Sequence, residues 1–226
     1  MRVLGLETAT SYGSVAVVGA EGLLAEVTAL VPMRHLEWLL PAVERLLVEA
    51  GLQRGDIEGL AVSSGPGGFT GLRIAIASAA AWARAAGIPV IGVSTLEGLA
   101  ATAPGPGLIA PILDAKRGEV AAALFRYEED LTLTRLADDT VLPPERLAEV
   151  IPPEQPVLLL GDGLARWRES IHRALPAARA APPPAGVPRA AVVASLGRAR
   201  LLAGRRDDPY RLAPRYGRSP AVTAIG

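Results

Sequence analysis

The stretch Gly65-Pro66-Gly67-Gly68-Phe69-Thr70-Gly71-Leu72-Arg73 decides how this chain is read. It follows an apolar run, Gly59-Leu60-Ala61-Val62, that reads as a buried strand. It leads into Ile74 to Ala86, an alanine-rich segment that reads as a helix. Strand, glycine-dense turn and helix together aim free backbone N–H groups and the positive end of a helix dipole at an anion. Gly65, Gly67 and Gly68 permit positive φ and put no Cβ between a phosphate and the backbone. Thr70 is placed to cap the helix or donate its hydroxyl, and Arg73 to supply a fixed cation. No Gly-Lys-Ser/Thr follows, so this is not a Walker A loop, and the dinucleotide spacing G-x-G-x-x-G is absent. Two readings stand side by side: a phosphate-binding turn, and a tight turn that serves packing.

Around that stretch, composition narrows the classes. The 226 residues contain no Cys, so neither a disulfide framework nor thiol chemistry is available. The longest uncharged apolar run, Ile74 to Ala83, is short of the roughly 20 residues a bilayer demands. Glu7 interrupts the apolar opening, so no secretory signal is expected and a cytoplasmic protein without membrane contact is. Net charge is zero but unevenly spread. Residues 1–100 carry six Arg against nine acids, and from Leu164 onward twelve Arg face three acids. That basic final third, centred on Arg189 to Arg218, is either a solvated Arg-rich surface or a weak contact for nucleic-acid phosphates.

Outward from the glycine turn, the chain divides into two similar halves. Arg2 to Glu7, Gly13 to Val18 and Leu23 to Leu30 read as an antiparallel meander. His35 to Ala50 places Leu36, Leu39, Leu40, Val43, Leu46 and Leu47 at helical spacing and ends at Gly51. Strand Gly59 to Ser63, the turn, its helix and strand Pro89 to Val93 complete a first lobe, residues 1–103. After Pro104-Gly-Pro-Gly107 a similar order restarts, giving a second lobe at 104–226. Its strands are expected at Leu108 to Leu113, Glu119 to Tyr127, Leu131 to Leu136 and Val157 to Leu160. Helices are expected at Pro144 to Val150, Gly163 to Leu175 and Val192 to Ala203, with an irregular tail expected to pack back on the first lobe. The class is α/β, each lobe a mixed sheet flanked by helices. The order resembles the two-lobed actin-like ATPase and sugar-kinase (ASKHA) fold, in which the turn Glu7 to Ser11 and the glycine turn would both face a nucleotide.

The motifs Gly65 to Ile74, Gly92-Val-Ser-Thr-Leu96 and Asp114-Ala-Lys-Arg-Gly-Glu-Val120 resemble those of the TsaB (YeaZ) family. So do the opening Leu6-Glu-Thr-Ala-Thr10, His35 at a helix start and the tail Pro214-Arg-Tyr-Gly-Arg218. The chain departs from the family pattern at Glu7, Lys116, Ala121 and Gly217, where Asp, Arg, an aromatic residue and Leu are usual. The resemblance implies a non-catalytic subunit that partners TsaD, with the TsaE ATPase, in threonylcarbamoylation of adenosine 37 of tRNAs reading codons that begin with A. It also implies a homodimer when TsaD is missing, and no cofactor except ATP or ADP in the complex with TsaD. TsaD itself carries a His-x-x-x-His metal pair. Here the only histidines are His35 and His172, so no metal site is expected.

The residues give their own account beside the family's. Glu7, Asp114 and Glu119 are the acidic candidates at strand ends, but Glu7-Thr8-Ala9-Thr10 lacks the Asp-x-Gly that seats a phosphate on a first hairpin. The nucleotide-facing set is Glu7, Thr8, Thr10, Gly65, Gly67, Gly68, Phe69, Thr70, Gly71, Arg73 and Asp114, with no catalytic residue among them. Ser63, Ser64 and Ser94 have no His partner for a hydrolase triad. His35 reads as a cap or a surface residue. Helix Ile74 to Ala86 is apolar nearly all round and so needs cover on every side. Ala75, Ala79, Ala83 and Ala86 with Trp82 form one expected partner surface. Leu36, Trp38, Leu39, Ala42 and Arg45 of the preceding helix form the other. A free-standing small-molecule kinase and a peptidase are the competing functions.

Overall fold

The computed structural model describes residues 1–103, 105–130 and 132–215. The tail motif is therefore described only as far as Arg215, and Gly217 lies outside the described residues. Strand β1 (Val3–Glu7) is buried throughout, as the apolar opening requires. It pairs antiparallel with β2 (Tyr12–Gly19), which pairs antiparallel with β3 (Gly22–Leu30). Parallel to β1 runs β4 (Gly59–Gly65), and parallel to that β5 (Val90–Ser94). The first sheet thus has the order β3-β2-β1-β4-β5. The second contains β6 (Gly107–Lys116), β7 (Glu119–Tyr127), β8 (Leu133–Leu142), β9 (Val157–Leu160) and β10 (Arg179–Ala180). Its order is β10-β9-β6-β7-β8, the same connectivity repeated.

Side-chain alternation along β1 sets the layers. Leu4 and Leu6 face helices α1 (His35–Glu49) and α2 (Phe69–Ala86), meeting Leu39, Leu46, Leu72 and Ala79. Val3 points the other way, into a cluster with Ala61, Val93, Val193 and Ala194. The last two residues belong to helix α6 (Ala190–Leu202), so the chain returns to the first sheet after building the second. The sheet seats the start of that helix. Ser14 Oγ accepts from the Ala190 N–H at 3.0 Å, and Glu26 accepts from the Ala191 N–H at 3.1 Å, satisfying two amides with no partner inside the helix. A short helix α3 (Thr95–Ala100), not expected from the sequence, packs Leu96 and Leu99 with Phe125 of the second sheet and so joins the two halves. Beyond α6 a strap runs along the first sheet. Asp207 N–H donates to the Val90 carbonyl at 2.9 Å, and Arg215 N–H to the Ser64 carbonyl at 2.6 Å. Among the described residues, no helix is long and apolar enough to cross a membrane.

Several expectations need correcting. Helix α2 starts at Phe69, so half of the glycine stretch is its first turn. Strand β8 runs on to Leu142, because Asp139, turn-like in sequence, finds Ser94 and Arg135 as partners in the cleft between the halves. The expected helix from Gly163 to Leu175 breaks into α4 (Gly163–Arg166) and α5 (Arg168–Ala174), with Trp167 between them turning its indole N–H to Asp114 at 3.4 Å. The segment Pro144–Glu149 is a 3-10 helix. On α1 the core stripe is rotated: Ala42 is buried, while Leu36 and Leu40 stand 73% and 56% exposed.

Candidate functional site

The glycine turn is held from two sides by backbone. The Gly68 N–H donates to the Ala9 carbonyl at 2.6 Å, and the Thr8 hydroxyl donates to the Gly71 carbonyl at 2.8 Å. A Cβ on Gly71 would sit 2.0 Å from the Thr8 oxygen, and one on Gly67 would sit 2.6 Å from the Ala9 oxygen. These glycines are needed for close approach of two chain segments. Of Gly65, Gly67 and Gly68, only Gly65 has positive φ, at 108°. Thr70 does not cap: the cap position is Gly68, and no side chain bonds there. Thr10 turns inward on its own loop, accepting from the Tyr12 N–H at 3.2 Å. Arg73 lies over the Phe69 ring at 3.7 Å from its centroid. The structure therefore brings together Glu7, Thr8 and the glycines, with Thr8 and Ala9 closed against Gly67, Gly68 and Gly71. Replacing Gly71 with Ala is expected to cost about 1–3 kcal/mol of stability by overpacking, read as a lower urea midpoint.

Beneath the turn lies Glu7, 1% exposed. It accepts from the Ala9 N–H at 2.6 Å and from the Ser63 hydroxyl. Burial disfavours its charged form and lifts its pKa to about 7, and the bonds from Ser63 and Ala9 only partly offset this. Asp114, expected to share this site, makes its side-chain contacts in the second half, with Lys116 of β6 and with Arg166 and Trp167 at the end of α4. Burial pushes its pKa up, but bonds from Lys116 and Trp167 outweigh that and hold it below the ordinary value. Its backbone N–H donates to Asp162, whose pKa burial and the Asp114 charge raise. Arg166 also pairs with Asp114, at 3.1 Å. The hairpin beyond it turns through Arg117 and Gly118, both at positive φ.

Sequence reasoning missed the polar network between the halves, since its members are far apart in the chain. Ser94 Oγ donates to Asp139 at 2.8 Å, and Arg135 bonds the same carboxylate at 2.6 Å. Glu97 lies 4.0 Å from Arg135 and also pairs with Arg200. These residues border a cavity of about 440 Å³, together with Pro66, Asp138 and Arg215. Its cations and carboxylates largely neutralise one another, which leaves little net field for a nucleotide. Among the described residues, no group of three His, Asp or Glu side chains is placed to hold a metal.

The expected partner surface divides in two. Ala75, Ala79 and Ala83 are buried against the sheet, as are Leu39 and Ala42, and so are unavailable to a partner. Small side chains at that spacing let α2 lie close to its own sheet rather than to another protein. Leu36, Arg45 and Ala86 are exposed, and Trp38 and Trp82 are half-buried. Arg45 is engaged by Glu49 at 2.8 Å. A groove of about 390 Å³ runs between the helices, lined by Leu40, Val43, Trp82, Ala85 and Ala86 and by the ion-paired Glu44 and Arg54. His35 is neither cap nor surface residue: it is buried, and its ring nitrogen lies 3.2 Å from the Tyr12 carbonyl.

Comparisons with known proteins accord with this architecture. The family described as TsaD, tRNA N6-adenosine threonylcarbamoyltransferase, matches residues 27–180. The tRNA threonylcarbamoyladenosine biosynthesis protein TsaB of Bacillus subtilis is 31% identical over 176 residues, 77% of each chain. TsaB of Escherichia coli is 37% identical over 152 residues, 66% of this chain and 65% of that protein. The structure of YeaZ from Pseudomonas aeruginosa superimposes with a TM-score of 0.83 at 30% identity, covering 95% of this chain and 99% of that one. The ROK hexokinase of Thermus thermophilus, at 16% identity and a TM-score of 0.50, covers 90% of this chain and all of its own, and shares the fold alone. The repeated sheet order is that of the actin-like ATPase and sugar-kinase fold, and the chain belongs to the TsaB (YeaZ) family of tRNA threonylcarbamoyladenosine biosynthesis proteins.

Proposed function

We propose that this chain is a non-catalytic subunit that binds TsaD and supports threonylcarbamoylation of adenosine 37 in tRNAs reading codons that begin with A, with TsaE joining the assembly. The observation that carries this reading is the groove between α1 and α2, where the exposed Leu40 lies with the half-buried Trp82 and Leu36 stands exposed one turn earlier on α1. An indole set in the wall of an apolar groove is the kind of anchor that dominates binding energy, and the aliphatic side chains around it exclude water. The closed glycine turn supports the non-catalytic part, because the Gly68 N–H is already spent on Ala9. ATP or ADP then binds only where TsaD supplies the missing donors. The protein works in the cytoplasm, where tRNA is modified.

Size-exclusion chromatography with light scattering, on the chain alone and mixed with TsaD from the same organism, tests this directly. The expected result is a homodimer that converts to a heterodimer. No mixed species under any nucleotide condition rejects the reading. ATP turnover by the purified chain alone would restore the free-standing kinase.

A further inference from the structure

We propose that the strap after α6, together with the last turn of α2, is a binding surface for the phosphate backbone of tRNA. This rests on the function proposed above, since that reading is what brings tRNA to the chain. Between Arg198 and Arg215 there are six Arg and two Asp. Two of the cations are used internally: Arg198 donates to the Met1 carbonyl at 2.9 Å, and Arg200 pairs with Glu97. Both acids are also engaged. Asp207 accepts from the Gly92 N–H at 2.7 Å, and Asp208 accepts from the Tyr210 N–H at 2.9 Å and lies 3.6 Å from Arg211. Arg205 and Arg206 remain exposed, with their neighbouring acids committed elsewhere.

A third cation joins them from another part of the chain. Arg84, on the last turn of α2, lies over the Tyr210 ring at 4.8 Å from its centroid, and that tyrosine is 78% exposed. Arg206 borders a cavity of about 460 Å³ with Gly87, Ile88 and Pro89, the residues that follow the same turn. The strap is fixed in place, because Asp207 is bonded to both Val90 and Gly92. The guanidinium groups of Arg84, Arg205 and Arg206 on a fixed frame suit a row of phosphates, which Arg meets with paired N–H donors. The location fits as well. Arg84 sits one residue from Ala85, which lines the proposed TsaD groove, so an RNA held by TsaD lies within reach of the strap.

The test is a fluorescence titration of a tRNA transcript with the complex of this chain and TsaD, at several salt concentrations. Arg205→Ala with Arg206→Ala is expected to weaken binding about tenfold near 0.1 M salt. The slope of log affinity against log salt should become shallower by roughly two. Arg84→Ala, as an independent variant, should lose about one unit of that slope. Arg126→Ala, an exposed cation on β7, serves as the control for bulk charge. Unchanged affinity overturns the proposal, as does an equal loss in the control. A loss of TsaD co-elution without a loss of tRNA binding also overturns it, and assigns the strap to an acidic protein surface. If wild-type chain and TsaD fail to co-elute, the docking reading has failed. The same variants are then titrated in the chain alone, where unchanged binding rejects the strap separately.

Discussion

Replacing Leu40 with Glu is expected to abolish co-elution with TsaD while leaving the fold intact. Leu40 is 56% exposed, so an acid there stays hydrated in the free chain and changes stability by less than about 0.5 kcal/mol. In a closed interface the same carboxylate sits beside Trp82 and Ala86, and Arg54, the cation that lines this groove, is already paired with Glu44, which adds repulsion of its own. An unpaired buried charge costs about 3–5 kcal/mol, which is two to three orders of magnitude in affinity. Ala86→Glu, from the opposite wall, should act in the same direction. Isothermal titration of TsaD with each variant, alongside urea midpoints, separates docking from folding. Wild-type affinity in both variants removes this groove as the docking site.

Stability should fall as pH rises from about 4.5 to 7, and Glu7 is the group responsible. Its folded-state pKa is about 7 against an ordinary value of 4.5. Below 4.5 both states hold the proton and the contribution is fully present. Between the two values the unfolded chain ionises while the folded protein keeps its proton, so stability declines. Above 7 both states are ionised, and the loss levels off at roughly 3 kcal/mol, from a shift of 2.5 units. Glu7→Gln keeps the shape of the side chain and removes the titration. Its stability should be flat over this range for this site, and higher than wild type at pH 8. Chemical denaturation at half-unit pH steps decides the matter. Parallel pH profiles for the two proteins would assign the slope elsewhere, with Asp162, also raised by burial, as the next candidate.

Both predictions depend on features that were unequally visible in the chain. Glu7 was legible as a strand-end acid because Leu6-Glu-Thr-Ala-Thr10 breaks the apolar run at that point. Its burial was not, since the shield comes from Ser63 and the glycine turn, more than fifty residues away. The docking groove was half legible. An all-apolar α2 signalled that cover was needed, but periodicity alone did not say which face the sheet would take. Ala75 and Ala79 went inward because small side chains let the helix close on β4, and Leu40 was left outside because α1 is rotated to bury Ala42.

Sequence by itself determined the order of the main strands and long helices, the repeated meander and the family motifs, because each rests on local apolar period and on turn residues near one another in the chain. Tertiary structure decided the rest. It returned α6 to the first sheet, set Ala9 and Thr8 against the glycine turn, and joined Ser94, Glu97, Arg135 and Asp139 across the two halves. The physical reason is common to all three. Close approach and ion pairing between distant segments depend on where two surfaces meet, and hydrophobic period along one segment says only that it must meet something.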